Sequence, residues 1–161
     1  AIPNVTDEAQ WQNLTTGAWA HQNNDNQNEN PYGKLYNWYT VNDSRNVCPS
    51  GWHVPSDAEW TVLSDYLGGD VFTGGKMKST GTQYWLSPNL YATNESDFSA
   101  LPGGKRSYIG TFDSIGELAH FWSSTADGTF PLLRTLSYQY GSFGGEAYDA
   151  AGGLSVRCLR D

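Results

Sequence analysis

CPSGWHVPSDAEW, spanning Cys48 to Trp60, brings a thiol, an imidazole and two carboxylates into one short stretch. Those groups suit a catalytic or metal-binding cluster, and they equally suit a chain turning into a helix. The second half has the pattern of a helix start. Ser56 is a good N-cap, and Glu59 three positions later completes an S-x-x-E capping box, in which otherwise unpaired backbone N–H groups find side-chain acceptors. Pro55 fits just before the cap, and Asp57 and Glu59 sit at the positive end of the helix dipole. Trp60, Leu63 and Leu67 recur on one apolar face with Tyr66 at its edge, and Gly68-Gly69 supplies a left-handed stop. The spacing predicts a helix over 57–67. Trp52 is expected in the core, and His53 in a buried turn bonded to backbone.

Cys48 has a single potential partner, Cys158, and the wide gap between them rules out a short C-x-x-C metal site. Cys158 lies in LSVRCLR, where Leu154, Val156 and Cys158 alternate inward as a half-buried strand requires. A disulfide from this last strand to the helix entry would close a very long loop and stabilise the fold by about 4–5 kcal/mol on chain-entropy arithmetic. Two buried free thiols are the other reading. A disulfide favours an oxidising, extracellular setting.

The chain of 161 residues has the length of one domain, and residues 1–161 are read as such. Seven Trp, ten Tyr and six Phe stand beside a single Met and 18 Gly, a balance that favours strands and turns with large rings supplying core area. No run of about 18 apolar residues is present to cross a membrane. A formal charge of −8 with scattered basic residues argues against nucleic acid, which needs clustered Lys and Arg. Acidity leaves room for Ca²⁺ as the one cofactor, and HQNNDNQNEN offers side-chain oxygens from Asn24, Asp25 and Asn26. That loop lacks EF-hand spacing, so a solvated loop is the plainer reading.

Ahead of the helix, Thr6 or Asp7 is expected to cap a short helix ending before Gly17, and KLYNWYTV reads as a buried aromatic strand or short helix. Beyond it, Gly pairs at 74–75, 103–104, 144–145 and 152–153 separate short aromatic or alternating segments, the punctuation of an irregular twisted antiparallel sheet. Almost everything after Gly69 is expected to be strand and turn. One main helix, short helices and such a sheet make an α+β fold.

The motifs YGKLYNWYTV, CPSGWHVPSDAEWTVLSDYLGG, GGKMKSTGTQYW, SPNLYATNESDFSALPGGKR, FWSST and SVRCLRD follow one another in this order. Together they resemble the Fibrobacter succinogenes major paralogous (FISUMP) domain from about Val5 to Asp161. More loosely, WHVPSDAEW and the closing SVRC are similar to matching places in formylglycine-generating enzymes and their C-type-lectin-like relatives. The resemblance implies a C-type-lectin-like fold. It also implies a secreted module, often appended to others or displayed at the cell surface, with a further N-terminal segment missing before Ala1.

Function does not follow from such a fold, because it hosts unrelated sites. A formylglycine-generating oxidase needs a reactive cysteine pair near the C-terminal part of the chain, where this sequence has Cys158 alone. His21, His53 and His120 stand apart and form no H-x-x-x-H, and no G-x-S-x-G elbow occurs. An enzyme with an unrecognised site is the weakest reading, and none of the residues is assigned a catalytic role. The favoured reading is a non-catalytic, secreted, carbohydrate-binding module that takes polysaccharide on exposed aromatic rings. The candidate ligand residues are Tyr108, Phe112, Tyr138, Tyr140 and Tyr148, with Arg106 and His120 adding polar contacts. In RTLSYQY, Arg134, Leu136, Tyr138 and Tyr140 share one strand face, and if it points inward those Tyr rings are core. A structural or adhesive module holding a protein partner is the alternative. A shallow groove of exposed Tyr and Trp favours carbohydrate, and a convex apolar patch favours protein.

Overall fold

In the computed structural model, which describes residues 1–161, the capping signals act where the sequence places them. Asp7 caps α1 (Glu8–Gln12) by accepting from Gln10 N–H. After β1 (Trp19–His21) come two 3₁₀ turns, α2 (Glu29–Tyr32), β2 (Lys34–Tyr36) and α3 (Trp38–Val41). KLYNWYTV is therefore both a strand and a helix, divided at Asn37, whose side chain caps α3 by accepting from Thr40 N–H. Next come β3 (Trp52–His53) and α4 (Asp57–Tyr66). Both halves of the predicted capping box form, with Glu59 Oε2 accepting from Ser56 N–H at 2.8 Å. Leu67 is the C-cap, and Gly68 follows at φ 104°.

The expectation of strand and turn after Gly69 fails at once, because α5 (Asp70–Met77) follows directly. The pair Gly74-Gly75 is inside this helix and buried, where it permits close approach rather than a break. A Cβ on Gly74 would stand 2.1 Å from the Ser142 carbonyl oxygen, and one on Gly75 would stand 2.4 Å from that of Tyr91. Any larger residue would push α5 off the two backbone segments it rests on.

The remaining strands are β4 (Gly103–Arg106), β5 (Phe112–Ile115), β6 (Leu118–Asp127), β7 (Phe130–Ser137), β8 (Phe143–Ala147) and β9 (Leu159–Arg160). Five of them form one sheet in the order β5-β4-β6-β7-β8, antiparallel except where β4 meets β6 in parallel. The α+β class holds, with most of the regular structure in strands. Alternation along β6 sends neighbouring rings to opposite faces. Ala119 and Phe121 join Leu136 and Phe143 against Trp60, Met77 and Trp85, forming the main core under α4 and α5. Trp122 and Leu133 face the other way, onto Leu154 and the partly buried Trp38 and Tyr148. Burying one such Trp removes about 150–250 Å² from water, roughly 4–6 kcal/mol of favourable transfer.

The chain closes where β9 pairs with β3, matching Trp52 with Arg160 and His53 with Leu159. Beside this pair Cys48 and Cys158 are joined, with Cα atoms 5.8 Å apart and a sequence separation of 110. The free-thiol reading is thereby set aside. Two expectations for the same stretch change. Trp52 is 40% exposed rather than in the core, because its short strand lies at the surface. His53 bonds to side chains rather than backbone, with Nδ1 2.6 Å from Asp161 Oδ1 and Nε2 2.9 Å from Glu59 Oε1. Both carboxylates raise its pKa, Asp161 more than Glu59.

Candidate functional site

Three segments converge on an open groove of about 650 Å³. The first turn of α5 contributes Val71 and Phe72, the connection from α5 to β4 contributes Leu90 and Tyr91, and the turn between β7 and β8 contributes Gln139 and Tyr140. Phe72, Tyr91 and Tyr140 are 64%, 73% and 61% exposed, so their rings are presented to solvent rather than absorbed by a core. Glycines bring the segments together. Gly75 N–H donates to the Gly141 carbonyl at 3.0 Å, and the Tyr91 ring lies so close to Gly141 that a Cβ there would stand 3.2 Å from it. Tyr91 itself is left-handed at φ 63°, and Leu90 N–H is fixed to the Tyr138 carbonyl at 2.8 Å.

Beneath the groove is a fully buried lysine, Lys78, at the C-cap of α5. An ammonium has three N–H donors, and three carbonyl oxygens receive them: Leu90 at 2.8 Å, Ser137 at 2.7 Å and Tyr140 at 2.9 Å. Two of these residues line the groove, and the third ends β7. Burial brings the Lys78 pKa down to about 8. The ammonium thus pins the groove-bearing segments from below and has no N–H donor left to offer the surface above.

The Fibrobacter succinogenes major domain family matches this chain over residues 1–160. The chain belongs to that family. No curated protein and no solved structure matches it. No helix in this Fibrobacter succinogenes major domain is long and apolar enough to cross a membrane.

The domain divides the sequence-derived ligand residues among different surroundings. Arg106 is fully buried and structural. Its guanidinium donates to the carbonyls of Gly110, Val5 and Thr6, and stacks on Trp11 at 4.3 Å. Phe112 takes the other side of that cation at 4.8 Å, in the small cluster around Trp11. His120 is also withdrawn, with Nδ1 2.9 Å from Thr135 Oγ1 and Nε2 buried without a partner. Burial, with a smaller push from Lys105, drives its pKa down to about 4, so the ring is neutral near pH 7. Neither Arg106 nor His120 reaches a ligand, because adjacent strands leave each one facing inward.

Among the tyrosines, Tyr108 is half-exposed and Tyr148 is partly buried against Trp122 and the Lys105 ammonium. Burial, followed by the nearby carboxylates, raises the Tyr148 pKa to about 12. The face shared by Arg134 and Leu136 does point inward, and Tyr138 follows it to the core edge. β7 stops at Ser137, so Tyr140 is released from that alternation and reaches the groove.

The Asn-rich loop uses its side chains in hydrogen bonds to backbone. Asp25 accepts from Gln27 N–H at 2.9 Å, and the Asn24 amide donates to the Thr6 carbonyl at 2.9 Å. Asn26 opens the second 3₁₀ turn. No three His, Cys, Asp or Glu side chains gather closely enough to hold a metal ion.

Of the groove lining only Tyr140 is among the residues expected from sequence, and the exposed rings of Phe72 and Tyr91 are not. Phe72 belongs to the helix that Gly74-Gly75 disguised. The available signal for Tyr91 is an apolar pair, Leu90-Tyr91, set between Ser87-Pro88-Asn89 and Ala92-Thr93-Asn94.

Proposed function

We propose that this domain is a non-catalytic polysaccharide-binding module whose ligand lies across Phe72, Tyr91 and Tyr140. The observation that carries the reading is the exposure of three rings in one shallow groove on pinned backbone. Ring faces stack on the apolar faces of sugars, and phenol hydroxyls, the Gln139 amide and the Ser142 hydroxyl suit sugar hydroxyls. A groove held in place before binding loses little entropy when it is filled. The disulfide, the acidity and the family membership support a secreted module with a C-type-lectin-like fold, attached to other modules or held at a cell surface.

The test is a glycan array probed with the intact chain, followed by titration calorimetry on the hits. Tyr140→Ala and Tyr91→Ala are each expected to weaken binding about tenfold or more. EDTA is expected to leave it unchanged, because the groove lining holds no carboxylate and no three His, Cys, Asp or Glu side chains gather to hold a metal ion. An empty array from a folded chain would remove the glycan reading. Undiminished binding by both variants would move the site elsewhere.

A further inference from the structure

The charges around the groove separate one class of glycan from another. None of the residues lining it carries a charge. The cation directly beneath is sealed in, with all three donors engaged by backbone carbonyls. Lys76, the nearest basic residue in sequence, is paired with Glu95 at 2.8 Å, outside the groove lining. Asp70, immediately before Val71, pairs with Arg134 at 3.7 Å, and Arg134 is itself buried and bound to Asp57 at 2.8 Å, so neither supplies a free charge, while the whole chain carries −8.

A carboxylate or sulfate brought against such a lining would give up its water and find no cationic side chain there to pair with. The net negative charge of the domain would also oppose its approach. An uncharged sugar suffers neither penalty. Stacking favours rings whose hydroxyls are equatorial, since these leave flat C–H faces to set against an aromatic ring.

We infer that the groove selects uncharged polysaccharide chains whose sugars carry equatorial hydroxyls and rejects polyanionic ones. This rests on the glycan reading above and adds the ligand's charge and shape to it.

Hydroxyethylcellulose and carboxymethylcellulose test it, because the two share one β-1,4-glucan backbone and differ in charge. Xylan and polygalacturonate form a second neutral and anionic pair. Each is titrated into the intact chain at about 50 mM and about 500 mM NaCl, where screening changes strongly. The neutral chains are expected to bind at least about tenfold more tightly than the anionic ones. Their affinity should change less than about twofold with salt, and Phe72→Ala or Tyr140→Ala should weaken it. Equal or tighter binding of the anionic chains, weakened by salt, would overturn the charge selectivity and leave the glycan reading standing. Failure of all four probes while the array returns other glycans would overturn this inference alone. Failure of the probes together with an empty array would overturn both. Neutral binding that both variants leave intact would overturn its assignment to this groove.

Discussion

The seam where β9 meets β3 and the groove beside α5 use their side chains in opposite ways. At the seam, Cys48, His53, Ser56 and Glu59 are all engaged with other parts of the protein: a bridge to Cys158, an ion pair to Asp161, and a capping box. At the groove, the polar work is done below the surface by Lys78 and by backbone hydrogen bonds, while aromatic rings are left without partners. Reactive residue types packed densely in sequence therefore mark architecture here. The region open to a partner is plain in composition, and it is recognisable by what the fold leaves uncovered.

Breaking the seam should have the largest effect on stability and little effect on the groove. Removing a cross-link that spans 110 residues is expected to cost about 4–5 kcal/mol. Cys48→Ala with Cys158→Ala, or reduction of the wild type, should lower the urea midpoint accordingly. At a temperature where the variant remains folded, amide exchange at Leu90 and Gly75 should match the wild type, since their acceptors, Tyr138 and Gly141, lie in the β7–β8 connection that bears the groove. Loss of protection there would mean that seam and groove open as one unit.

How far each region could be read from sequence follows the same division. Helix α4 was legible because its signals are local: a cap, a first-turn carboxylate, an apolar period and a glycine stop lie within one short stretch. The disulfide was legible because only two cysteines exist to pair. Helix α5 was hidden because Gly74-Gly75 serves a tertiary contact with Ser142 and Tyr91 that no local pattern announces. Tyr140 was legible as a ring in a Gly-rich segment, and the strand alternation that would have sent it to the core ends at Ser137 before reaching it. Arg106 and His120 were misplaced because a polar residue in a strand gives no sign of which face will be covered. Three carbonyls for Arg106 and a threonine hydroxyl for His120 made burial tolerable.

The converse perturbation acts from under the groove. Lys78→Met keeps the length of the side chain but leaves the carbonyls of Leu90, Ser137 and Tyr140 without their donor. Unsatisfied buried acceptors are costly, and removal of a buried charge offsets part of that cost. A net loss of roughly 2–4 kcal/mol is expected. Hydrogen exchange should rise first around residues 89–91 and 138–141, with the β3–β9 amides protected as before. Uniform loss of protection would show that Lys78 supports the whole core rather than the groove in particular.

The smallest effect belongs to His53, and it sharpens the comparison because it gives the seam a pH dependence. The carboxylates of Asp161 and Glu59 raise the folded-state pKa of His53 above its ordinary 6.5. Its contribution is therefore complete below about pH 6.5, where the ring is protonated folded or unfolded, and is lost as pH rises through the raised folded value. Glu59 bounds the other side. The Ser56 N–H and hydroxyl, and to a lesser degree His53, hold its pKa below the usual carboxylate value, so its contribution is lost only as pH falls through that lowered value. Because the ring and both acids are partly exposed, the effect should be modest and screened by salt. In melts of wild type and His53→Gln, the Tm difference should be greatest near about pH 6, shrink towards about pH 9 and diminish in high salt. A difference that ignores both pH and salt would mean that the ring holds β3 to β9 by packing alone, and the seam would then have no titrating element.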